Sequence, residues 1–130
     1  MLNDDYKEML QLLLEERVKF LVVGAYALGA HGYPRATGDI DIWVAPAIEN
    51  ACKVMRVLNR FGAPLFDVTE QDFAKKGTIF QIGVVPRRID IITAIDGVEF
   101  PAAYARKEMT VVEELEIPVL SLQDLITNKE

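Results

Sequence analysis

The chain has 130 residues, 51% hydrophobic and 26% charged, which fits one domain (1–130) with a core of its own and argues against two. Its longest apolar stretch, 20–30, is broken by Gly24 and Gly29 and is too short to cross a membrane, and Asn3-Asp4-Asp5 is unlike a signal peptide, so a cytoplasmic protein with no membrane partner is expected. A net charge of −6 argues against broad nucleic-acid binding, although Arg35, Arg87 and Arg88 leave a local contact open. The single cysteine, Cys52, excludes an intramolecular disulfide and reads as a small apolar residue rather than a nucleophile.

In chain order, Tyr6, Met9, Leu10, Leu13 and Leu14 predict an amphipathic helix over 4–17 with Asn3 as N-cap. Phe20-Leu21-Val22-Val23 predicts a short buried strand that turns at Gly24-Ala25 into a small-residue helix over 26–30. Such a junction either exposes backbone amides to an anion or is a plain turn. His31 is expected to finish that helix or bond the loop. The turn-formers Gly32, Pro34 and Gly38 then lead into a strand over 39–44, ended by Pro46. A helix is expected over 47–61, with Ile48, Cys52, Met55 and Leu58 on its buried face and Gly62 and Pro64 closing it. Thr69 and Asp72 form a capping box for a short helix stopping at Gly77. The β-rich runs 78–84 and 88–93 suggest an antiparallel hairpin, and Asp96-Gly97 a tight turn. Beyond it come a short helix over 102–106, a strand over 109–112, and a last helix opened by a second capping box, Ser121 with Asp124. That helix reaches Glu130 with no C-cap, as expected of a chain cut from a longer protein. The fold class is α/β, a mixed twisted sheet backed by helices.

The chemistry centres on Thr37-Gly38-Asp39-Ile40-Asp41-Ile42-Trp43-Val44, where alternate strand positions put Asp39 and Asp41 on one face. Asp90, inside Arg88-Ile89-Asp90-Ile91-Ile92-Thr93, is a lone carboxylate in a β-branched strand and is costly unless a cation faces it. Three acids with pairs about 5 Å apart repel by on the order of 3 kcal/mol per pair at an effective dielectric near 20, so they should take up protons or hard divalent ions such as Mg2+ or Mn2+. The bland alternatives are an exposed strand face for Asp39 and Asp41, and pairing with Arg87 or Arg88 for Asp90. Trp43 either borders the site or is sheet core.

Taken together, 20–25, 31–41 and 88–93 resemble the minimal nucleotidyltransferases of the DNA polymerase β superfamily, especially bacterial ones of the abortive-infection and toxin–antitoxin type. Their signature is a strand ending in Gly-Gly or Gly-Ser, then Asp-x-Asp, then a third acid on a later strand. Residues 121–129 resemble the helix that those proteins place beside the nucleotide. The resemblance implies transfer of a nucleoside monophosphate from an NTP to an acceptor hydroxyl, with Asp39, Asp41 and Asp90 as catalytic and metal-binding residues. It implies nucleotide contacts from Gly24, Ala25, Arg35, Thr37 and Lys129. Ala25 stands where many relatives have a serine. The acceptor could be a tRNA, a protein or a small molecule, and a homodimer or a cognate toxin or antitoxin is the expected partner. Two other classes stay open: a catalytically silent nucleotide- or partner-binding module, and a metal-dependent phosphohydrolase.

Overall fold

A computed structural model of the chain describes residues 3–32, 39–84 and 87–129. Helix α1 (Asp4–Glu15) is capped by the Asn3 side chain, which accepts a hydrogen bond from the Tyr6 amide, and it buries Tyr6, Met9, Leu10, Leu12 and Leu13. Strand β1 (Phe20–Val23) is buried throughout and passes directly into α2 (Gly24–Ala30). After β2 (Ile40–Val44) come α3 (Ile48–Phe61), α4 (Glu70–Ala74), β3 (Ile79–Ile82) and β4 (Ile89–Ile92). The rest of the chain forms α5 (Phe100–Ala105), β5 (Glu108–Val112), β6 (Leu115–Val119) and α6 (Leu122–Lys129).

The six strands make one mixed sheet in the order β3-β4-β2-β1-β6-β5. Three neighbouring pairs, β1 with β2, β3 with β4 and β5 with β6, run antiparallel. The other two, β2 with β4 and β1 with β6, run parallel. A parallel pair needs a long crossover, and α3 and α4 supply the one from β2 to β4. These directions bring the C-terminal end of β1, the N-terminal ends of β2 and β4, and the C-terminal end of β6 to one edge of the sheet.

Period-two alternation divides the core between the two faces. Ile40, Ile42, Val44, Ile89 and Ile91 are buried on one face. On the other, Leu21, Val23 and Trp43 are buried, and Phe100 of α5 meets the Trp43 indole edge-on with ring centroids 5.0 Å apart. Trp43 is therefore sheet core and does not border an open site. Arg106 at the end of α5 forks the buried Asp124 of α6 at 2.8 and 3.1 Å. In the second expected capping box Ser121 Oγ accepts from the Asp124 amide, while the Asp124 carboxylate holds Arg106.

Two expectations need correction. The buried face of α3 is Asn50, Ala51, Val54, Val57 and Leu58, whereas Ile48 is 51% exposed and Cys52 and Met55 are half-buried. Apolar spacing alone allowed two stripes on this helix, and a polar Asn on the buried one counted against the correct choice. The Cys52 thiol, moreover, donates to Glu70 Oε2 at 3.0 Å, and this bond pushes its pKa up, away from nucleophilic behaviour. The sequence reading also omitted β6, because Pro118 interrupts it and the 113–114 turn holds Glu113 and Glu114 at φ 48° and 73°, where Gly or Asn is the usual signal.

Asn50 is buried because it closes the end of β1 and β2 opposite the acids. Its Oδ1 accepts from the Lys19 amide at 2.7 Å, and its Nδ2 donates to the Lys19 and Ala45 carbonyls, both at 3.1 Å. Asn50→Ala leaves the Lys19 amide without its acceptor, while the Lys19 and Ala45 carbonyls keep the Ala45 and Ala47 amides, and should cost about 1–3 kcal/mol in urea unfolding.

Candidate active site

Asp41 and Asp90 are register partners on the parallel strands β2 and β4, so their side chains leave the sheet side by side. The pKa of Asp41 is pushed up to about 6, first by burial, then by the charge and hydrogen bond of Asp90 and the charge of Asp39, with Arg88 opposing. Asp39, immediately before β2, completes the group of three acids.

Arg88 links the outer two. Its Nε and Nη2 donate to Asp90 Oδ1 and Oδ2 at 2.8 and 3.2 Å, and Nη2 lies 2.9 Å from Asp39 Oδ2. The Arg88 backbone is held independently, since its carbonyl accepts from the Tyr6 hydroxyl at 3.2 Å and from the Ile40 amide at 3.1 Å. Tyr6 meets Tyr26 of α2 edge-on, with ring centroids 5.6 Å apart. Burial, the neighbouring Tyr26 and the charge of Asp39 raise the Tyr6 pKa, which keeps its hydroxyl a donor.

Gly24 sets the close approach of α2. Its φ is +70°, and a Cβ there would lie 2.5 Å from Asp41 Oδ2. No other residue fits both the backbone and the carboxylate without a shift. Beside it Ala25 is half-buried in the first turn of α2. His31 ends α2, and its Nε2 donates to the Leu120 carbonyl at 2.9 Å, tying the helix to the end of β6.

Asp39, Asp41, Asp90, Gly24 and Ala25 therefore meet at one sheet edge, while Arg35 and Thr37 lie outside the described residues. Lys129 does not join them. It is exposed at the end of α6, beside Asn128, whose Nδ2 donates to the Asp96 carbonyl at 2.9 Å, and Thr127, which packs on Gly97. The helix runs from β6 to the Asp96-Gly97 turn, and a length of eight residues carries its last side chain to that turn. Arg88 is the residue of this cluster to which the sequence assigns no site role. Its signal was its place two before Asp90, on the same strand face. The Tyr6 contact, across 82 residues of sequence, had no local signal.

The donor set suits a hard divalent cation: three carboxylates, two of them on register partners of neighbouring strands. Among the described residues, however, no three acids are arranged about a common ion position, and the Arg88 guanidinium bridges Asp39 and Asp90.

Two solved structures share this architecture. One, a Thermotoga maritima protein assigned as a nucleotidyltransferase, superimposes with a TM-score of 0.66 at 23% identity, over 97% of this chain and 83% of that one. The other, the antibiotic-resistance factor ANT(2'')-Ia, gives 0.63 at 16% identity, over 94% of this chain and 66% of that one. The fold is that of a nucleotidyltransferase. No family model and no curated protein matches the chain. The nucleotidyltransferase fold accounts for the mixed sheet and its backing helices, and among the described residues no helix is long and apolar enough to cross a membrane.

Two substitutions test the crowding at this edge. The folded state binds the Asp41 proton more tightly than the unfolded chain does, so this contribution to stability is complete below the ordinary value of 3.8 and is lost as pH rises through about 6. Without divalent ions, Asp41→Asn should therefore be more stable than wild type at neutral pH, by roughly 1 kcal/mol after solvent screening, with the difference vanishing in acid. Thermal melts across this pH range read it directly. Gly24→Ala should destabilise by about 1–3 kcal/mol at any pH, because its backbone strain does not titrate.

Proposed function

We propose that the chain is a metal-dependent nucleotidyltransferase that moves a nucleoside monophosphate from an NTP to an acceptor hydroxyl. The observation that carries this reading is the convergence of Asp39, Asp41 and Asp90 at the sheet edge where Gly24 opens α2, within a nucleotidyltransferase fold. In the reaction the acceptor oxygen bonds to the α-phosphorus, the bond from that phosphorus to the bridging oxygen breaks, and pyrophosphate leaves. The three carboxylates would hold Mg2+ or Mn2+, which supplies charge neutralisation on the triphosphate and acidifies the acceptor hydroxyl. Asp90 would receive the proton of that hydroxyl. The backbone of Gly24 and Ala25 would face phosphate oxygens, and Arg35 and Thr37, shortly before Asp39 in the sequence, would add contacts. The net charge of −6 favours a small or locally recognised acceptor over a long RNA surface.

A silent binding module is the second reading, and the Arg88 bridge favours it, since two of the three carboxylates already have a cation. Calorimetric titration of each NTP with Mg2+ separates the two readings. Wild type should bind in a metal-dependent way and be stabilised by about 2.7 kcal/mol at a hundredfold excess over Kd, and Asp41→Asn should lose both effects. Binding that persists unchanged without metal would support the silent module. Release of phosphate rather than pyrophosphate would identify a phosphohydrolase.

A further inference from the structure

We infer that Arg88 is a resident counter-ion that competes with the divalent metal, so that loading the site requires its guanidinium to leave Asp39 and Asp90. This rests on the nucleotidyl-transfer reading above and adds a positioning residue to it.

The geometry carries the inference. One side chain neutralises two carboxylates on different segments of the chain, at 2.8 Å to Asp90 and 2.9 Å to Asp39. A divalent ion and a guanidinium on the same carboxylates repel each other and compete for the same oxygens. The Arg88 backbone is pinned by Tyr6 and Ile40, so the exchange needs only side-chain rotation and leaves β4 in register. With its side chain 29% exposed, the guanidinium has a route to solvent. Asp39, Asp41 and Asp90 are the charged groups whose fields reach it. Once displaced, it stays within a side-chain length of the edge, and its planar fork matches the oxygens of a polyphosphate better than a lysine would. The same residue thus keeps the acids from repelling one another before loading, and it sets the threshold for the metal.

The test is calorimetric titration of Mg2+ alone, and of Mn2+ alone, into wild type, Arg88→Gln and Arg88→Lys. Alongside, the Arg88 Nε–H signal of the wild type is followed by NMR. Removing the competitor should tighten metal binding about tenfold in Arg88→Gln, with Arg88→Lys between it and wild type. Without metal Arg88→Gln should melt below wild type, and saturating Mg2+ should restore most of the difference. In the wild type the Arg88 Nε–H signal should move as metal is added. A residue that only braces the fold would instead weaken metal binding when removed. Equal or weaker affinity in Arg88→Gln, or an Nε–H signal unmoved at saturating metal, overturns the inference while leaving nucleotidyl transfer intact. If neither metal nor NTP with metal binds wild type, both the inference and the proposed function fall together. Should Arg88→Gln not fold, the wild-type NMR titration and Arg88→Lys decide the matter.

Discussion

Everything at the functional edge answers to the cost of holding three carboxylates together. The pairing of β2 with β4 forces Asp41 and Asp90 side by side, and the register that does so also buries Ile40, Ile42, Ile89 and Ile91. The core therefore cannot relax the repulsion by sliding one strand, because a one-residue slip would send its apolar side chains to the wrong face. The molecule answers electrostatically, with an Asp41 carboxyl whose pKa is pushed up to about 6 and a guanidinium across Asp39 and Asp90. Hydrophobic burial stabilises the arrangement, and the charges set its chemical potential for cations.

That division explains what the sequence could show. Local pattern revealed the acids, the strand-to-helix junction at Gly24 and most elements, since period-two and helical spacing act over a few residues. Asn3, Thr69 with Asp72, and Asp96-Gly97 are each local chemistry, and each stands where the sequence put it. The partnership of Asp41 with Asp90 came from the resemblance to a family and from the oddity of a charge in an apolar run.

The illegible parts are those settled by tertiary contact. Asn50 is buried because the Lys19 amide needs its side-chain oxygen, which no periodicity expresses. β6 was hidden by Pro118 and by two glutamates in a left-handed turn, a conformation that only pairing with β5 enforces. Lys129 looked like a phosphate ligand by its position in a helix, but α6 takes it to the Asp96-Gly97 turn. Arg88 was visible as a neighbour of Asp90, while its second partner, Asp39, depends on two strands meeting across the sheet.

The strand order has a consequence for synthesis. β1 lies between β2 and β6, and Val22 pairs with Val119, so the middle of the sheet keeps an unsatisfied edge until almost the whole segment has left the ribosome. At translation rates of about 5–20 residues per second, that is an exposure of several seconds for some of the most apolar backbone in the molecule. The acids, by contrast, need only β2 and β4 to meet. The strands that gather the acids are thus complete in the chain before the strand that closes the sheet beside β1 has been made.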